Sequence, residues 1–194
     1  MVIHPQDKVQ KFYNLLKRDQ KLFSLGSFIQ PNHFDQHVSD IQFLSECIEE
    51  SVVVELGAGV GQSLLLLAIL RPNLRCVAIE KNTRKRGWIQ IHKKELGLKN
   101  VWVSPSMKDY FHGHAHEPTG LLLKAFSPVK VLPEILEEFK SYIQKLYVIE
   151  GKRRGLSSAV SSISFFQTRL EKMPHGQERF LVVFEKTQDV PRGT

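Results

Sequence analysis

The residues best suited to chemistry lie in Glu55-Leu56-Gly57-Ala58-Gly59-Val60-Gly61, where three glycines alternate with small or apolar residues. Glycines at such a turn let the backbone approach a ligand that a side chain would hold off. The spacing is G-x-G-x-G, and the carboxylate of Glu55 stands two residues before the first glycine. A turn built for pyrophosphate favours G-x-G-x-x-G, and an anion on its approach side would repel that ligand. S-adenosylmethionine carries an ammonium and a sulfonium and no phosphate, so Glu55 can orient it without repulsion. Glu80 closes the next apolar run roughly 20 residues on, where a carboxylate can accept both ribose hydroxyls.

Basic residues gather at three places: Lys81, Arg84, Lys85 and Arg86; Lys93 and Lys94; and Lys152, Arg153 and Arg154. The third cluster follows the fifth strand, on the sheet edge that carries the glycine turn, and is the candidate for phosphate contact. The other two read as solvated helix faces. In His112-Gly113-His114-Ala115-His116-Glu117 alternate histidines would share a face if extended, and zinc could use them. No second ligand group stands nearby, so the segment reads as a polar surface loop and no functional metal is expected.

These residues need elements to place them. Asp7 to Leu25 sets Val9, Phe12, Tyr13, Leu15, Leu16 and Leu22 among Lys and Arg, which suits an amphipathic helix, and His37 to Ile48 suits a second. Together they would form an N-terminal helical cap. Short apolar runs then alternate with helices: Val52–Val54, a helix over Ser63–Leu70, Cys76–Ile79, a helix from about Arg84 to Leu96, then Val101–Val103, Leu121–Leu123 and Tyr147–Ile149. Strands apolar throughout and separated by helices imply a parallel sheet covered on both faces. Phe165 to Met173 and Arg179 to Lys186, joined by a turn-rich segment, imply an antiparallel closing hairpin. The fold class expected is α/β, Rossmann-like, of the class I methyltransferase kind that uses S-adenosylmethionine. One domain is expected, with residues 1–50 as cap, 51–186 as cofactor-binding core and 187–194 as a polar tail.

Composition sets the bounds. With 194 residues, 42% of them hydrophobic and 24% charged, the chain has globular make-up and room for one sizeable core. A formal charge of +7 favours an anionic partner. Cys47 and Cys76 stand in apolar segments, which excludes a disulfide scaffold or zinc ribbon as the organising feature. Met1 to Lys8 lacks the apolar stretch of a signal peptide, and Leu64 to Leu70 is far short of the roughly 20 residues that span a bilayer. A reducing, cytoplasmic location is expected, with no membrane contact and no obligate protein partner.

Several stretches resemble the bacterial small-subunit ribosomal RNA guanine-N7 methyltransferases, the glucose-inhibited division protein B family. His37-Val38-Ser39-Asp40 is similar to a His-x-x-Asp segment of that family, and Glu55 to Gly61 with Arg71-Pro72 to its cofactor turn and following helix. Glu80, Arg84-Lys85, Trp88-Ile89 and Glu95 to Val101 form the most similar stretch, and Glu178 to Lys186 resembles its closing strand. The chain departs from the pattern in four places. Gln62-Ser63-Leu64 stands where the family has an aromatic or Leu followed by Pro-Gly, and Met107-Lys108-Asp109 where it has Arg-Ala-Glu. Leu123-Lys124-Ala125-Phe126 stands for Ser-Arg-Ala-Phe, and Ile149-Glu150-Gly151 for Leu-Lys-Gly.

The resemblance implies S-adenosylmethionine as cofactor, held by Glu55, Gly57, Ala58, Gly59, Gly61, Gln62, Glu80, Lys108 and Asp109. It implies ribosomal RNA or a small-subunit particle as partner, contacted by His37 and by Lys152, Arg153 and Arg154. Guanine N7 is an exposed lone pair and needs no general base, so alignment in a dry pocket would supply the catalysis. Lys124 closes the fourth strand, at the rim where open α/β sheets bind ligands, and is the candidate for guanine O6 or a phosphate. Gln62 and Glu150 leave two alternatives open: methylation of another substrate, and an RNA- or ribosome-binding relative that transfers nothing. An NAD-dependent dehydrogenase is opposed by the glycine spacing and the hairpin.

Overall fold

Ser63 to Ile69 are all buried within the helix Gln62–Leu70, which we term α3. A helix apolar on every side must be covered on every side. The sheet covers one side of α3, and Pro5–Asp19 (α1) and Pro31–Cys47 (α2) cover another. The computed structural model describes residues 4–23, 29–112, 117–125, 129–151, 155–160, 165–174 and 179–186.

The strands are Val52–Leu56 (β1), Arg75–Ile79 (β2), Val101–Ser104 (β3), Thr119–Lys124 (β4), Ile143–Gly151 (β5), Phe165–Lys172 (β6) and Arg179–Lys186 (β7). They form one sheet in the order β3-β2-β1-β4-β5-β7-β6. The first five run parallel, and β7 is antiparallel to both β5 and β6. The parallel sheet and its closing hairpin are therefore as expected from the apolar runs.

The remaining helices are Thr83–Glu95 (α4), Met107–Phe111 (α5), Leu132–Phe139 (α6) and Gly155–Val160 (α7). Asn82 caps α4 by accepting from the Lys85 amide at 3.1 Å. Gly97, at φ 64°, ends it, with the Gly97 and Leu98 amides donating to the Lys94 and Lys93 carbonyls at 3.0 and 2.8 Å. Two expected boundaries shift. The first helix stops at Asp19 and tightens into a 3-10 turn over Gln20–Leu22, short of Leu25. The second begins at Pro31, six residues before His37, because proline fits a first helical turn whose amides have no partner anyway. Helices α5, α6 and α7 are not among the expected elements, since each has at most eight residues and is too short for a sustained repeat.

Period-two alternation sorts the core into two layers. Val53, Ala78, Leu122, Tyr147 and Leu181 face α1 to α4, while Val54, Val77, Leu123, Val148 and Val182 face α5 to α7. The same alternation sends Glu55 and Lys124 to the first face and Glu150 to the second. Cys47 and Cys76 are buried free thiols. Among the described residues no helix is long and apolar enough to cross a membrane.

Candidate functional site

Gly57, Gly59 and Gly61 have φ of 74°, 60° and 71°, the left-handed region that other residues reach only under strain. The Gly57 and Ala58 amides donate to the Ile79 carbonyl at 2.8 and 3.0 Å, binding the turn to the end of β2. The Gly59 amide donates to Glu80 Oε2 and the Asn82 amide to Glu80 Oε1, each at 2.8 Å. Both carboxylate oxygens are thereby fixed, yet each keeps a lone pair for a ligand hydroxyl.

Glu80, Gly57 and Gly59 open onto a cavity of about 660 Å³. Its volume suits a small-molecule ligand. Met107, Ile135 and Phe139 give it an apolar wall, while Lys81, Lys85 and Lys108 also line it. A methyl group placed on Gly59 would meet nothing within 4 Å, whereas one on Gly61 would come within 3.1 Å of Ile89 Cγ1. Gly59 therefore leaves room for a ligand, and Gly61 leaves room for α4. An apolar slot beside a fixed carboxylate and an open glycine turn fits an adenosine-bearing cofactor.

A second cavity of about 380 Å³ lies at the ends of β4 and β5 and shares Ala125 with the first. Lys124, Glu150 and Arg179 line it. The Lys124 ammonium lies 3.1 Å from His37 Nδ1 and donates to Ser63 Oγ at 3.1 Å. Arg179 pairs with the buried carboxylate of Asp40 at 2.7 Å. Burial raises the pKa of Glu55, and the nearby Lys124 ammonium and the Leu64 amide restrain the rise. Burial lowers that of Lys124, with Glu55 opposing, and lowers His37 well below the ordinary imidazole value, with Lys124 adding to the shift. His37 is therefore neutral and accepts from the Lys124 ammonium.

The expected cofactor residues divide. Gly57, Gly59, Glu80 and Lys108 line the first cavity together. Ala58, Gly61 and Gln62 shape the turn and the start of α3 without lining it. Glu55 points to the α1–α4 face beside Ser63 and Lys124, and not into that cavity. Asp109 is exposed and exchanges hydrogen bonds with Ser106, its amide donating to Ser106 Oγ and its carboxylate accepting from the same hydroxyl. Lys124, expected at a rim, has its ammonium drawn inward. His37, expected to touch RNA, is 2% exposed and belongs to this buried cluster.

Lys152, Arg153 and Arg154 lie outside the described residues, as do His114 and His116. Among the described residues no group of three metal-ligating side chains occurs. The cavity wall that α6 supplies through Ile135 and Phe139 is not legible in the sequence. Eight residues are too few for a sustained apolar repeat, and nothing in the local sequence places that helix beside the glycine turn.

Residues 5–182 match the family described as GidB, rRNA small subunit methyltransferase G. A relative of that name from Streptococcus pyogenes serotype M12 (strain MGAS9429) is 25% identical over 181 residues, covering 84% of this chain and 73% of its own. Among solved structures, a SAM dependent methyltransferase from Aquifex aeolicus aligns with TM-score 0.61 at 16% identity, over 96% of this chain and 100% of its own. TrmK from M. capricolum, in complex with S-adenosyl-homocysteine, aligns with TM-score 0.59 at 12% identity, over 76% and 68%. At these identities the two structures speak for the fold.

Proposed function

The chain belongs to the GidB family, rRNA small subunit methyltransferase G, and from that premise we propose that it transfers a methyl group from S-adenosylmethionine to small-subunit ribosomal RNA at guanine N7. The observation that carries this reading is the pair of neighbouring cavities that share Ala125 in their walls, the glycine turn and Glu80 in one and open space at the ends of β4 and β5 in the other. Gly57 and Gly59 would let the cofactor approach the main chain, Glu80 would accept from its ribose, and Met107, Ile135 and Phe139 would enclose its base. The second cavity takes the guanine.

Bound there, S-adenosylmethionine would supply an electrophilic methyl to the N7 lone pair, with the C–S electron pair left on sulfur and the positive charge passed to the purine. No proton moves, so the protein's work is alignment and exclusion of water. Lys124 donates to guanine O6. An unbalanced ammonium there would oppose a base turning cationic, and Glu55 behind it supplies the counter-charge. Lys81, Lys85 and Lys108, beside the first cavity, suit RNA phosphates, with Lys152, Arg153 and Arg154 as further contacts.

Calorimetric titration with S-adenosylmethionine, with NAD as comparison, followed by transfer of labelled methyl to small-subunit RNA, tests the proposal. Micromolar binding of the first ligand alone and label on one guanine are expected. Cofactor binding without transfer to any RNA would leave a binding protein on a methyltransferase fold.

A further inference from the structure

The second cavity holds a carboxylate that the reaction above does not use. Glu150 is 7% exposed and lines the cavity from the end of β5. Its Oε2 accepts from the amides of Leu156 and Ser157 at 3.1 and 3.2 Å, and its Oε1 accepts from the Ser157 hydroxyl. Three donors thus fix the group against α7. A carboxylate offers about four acceptor sites, so among the described residues one stays available on Oε1. Lys124 and Arg179 line the same cavity, but each has its counter-charge on the opposite sheet face, in Glu55 and Asp40. The negative charge that Glu150 brings is therefore not consumed by them.

We infer that Glu150 accepts the N1–H of the guanine being methylated and acts as counter-charge to the product cation, an assignment that rests on the methyl transfer proposed above. Guanine presents a donor at N1 where adenine presents a lone pair, so adenine would meet acceptor with acceptor and leave both groups unpaired. As the methyl arrives at N7 the ring turns cationic and its N1–H becomes a stronger donor. The hydrogen bond to a fixed carboxylate therefore tightens as the transition state forms, which is the kind of contact that accelerates a reaction. N7, O6 and N1 follow one another around the purine, and Lys124 and Glu150 both line the cavity that would take it.

Calorimetry on the intact chain tests this without relying on turnover. The chain is titrated first with S-adenosylhomocysteine and then, at saturation, with 7-methylguanosine or guanosine. The cationic nucleoside should bind about tenfold more tightly, because its positive ring adds an ionic attraction to a hydrogen bond that the carboxylate already assists. Glu150→Gln keeps an acceptor for the α7 amides but loses the charge, and should bring the ratio to near one. Equal affinities in the unaltered chain, no binding of either nucleoside at millimolar concentration, or an undiminished ratio in Glu150→Gln would each overturn the assignment. The first two outcomes need no variant, so a variant that fails to fold leaves the test intact. Absence of S-adenosylhomocysteine binding in the first titration would instead remove the methyl-transfer reading itself.

Discussion

Lys124 and Glu55 each carry a charge that would be costly to bury alone. Burial shifts both toward neutrality, and each restrains the shift of the other. Removing one partner of such a pair costs on the order of 3 kcal/mol, because a charge is left without compensation. Lys124→Met should therefore destabilise the fold by about that much near pH 8. The sign of the pH effect follows from Glu55, whose folded pKa is raised, so that its ionised form is the unfavourable one. Below that raised pKa the carboxyl is protonated and the cost falls, so the loss relative to the unaltered chain should be smaller near pH 5. Adding Glu55→Gln should restore most of it. Urea unfolding at the two pH values decides, and an equal loss at both would separate Glu55 from Lys124.

The turn between β1 and α3 and the α3–α4 contact use glycine for different ends. Gly59 and Gly61 share a left-handed φ, so alanine at either incurs backbone strain of roughly 1–2 kcal/mol. At Gly59 the new methyl finds open space in the cofactor cavity, so Gly59→Ala should weaken S-adenosylmethionine binding at least tenfold while unfolding only slightly earlier. At Gly61 the methyl meets Ile89 at 3.1 Å, and the cost adds to the strain. Gly61→Ala should therefore lose about 2–3 kcal/mol, since overpacking adds to backbone strain. Thermal melting paired with ligand titration separates the two, and the same profile for both variants would refute the distinction.

Across the whole molecule, Asp40 on α2 and Arg179 on β7 join the N-terminal helices to the closing hairpin. Asp40 is 2% exposed, whereas the Arg179 side chain is 24% exposed. Arg179→Ala leaves a carboxylate in the interior without its cation and should cost about 3 kcal/mol. Asp40→Asn should cost less, because the guanidinium can turn toward water. A double-mutant cycle by urea unfolding measures the coupling, and additive losses would show that the pair does not hold the two ends together.

The sequence by itself determined the strands, the helix apolar on all sides, the glycine turn, the acid at the end of β2 and the hairpin. Each rests on local rules: apolar runs that need burial on two faces, left-handed positions that need glycine, and turn residues between two short runs. Strands β1, β4 and β5 are apolar on both faces, so the sequence alone left open which face Glu55, Lys124 and Glu150 belong to. Only the tertiary structure decided the face and what each would meet there. Glu55 neighbours Lys124 because β1 pairs with β4, with Glu55 opposite Leu122 and Lys124 two residues further on. His37 and Asp40 reach that cluster because α2 packs on α3. Such encounters depend on strand order and helix packing, which the whole core settles together and no short stretch of sequence encodes.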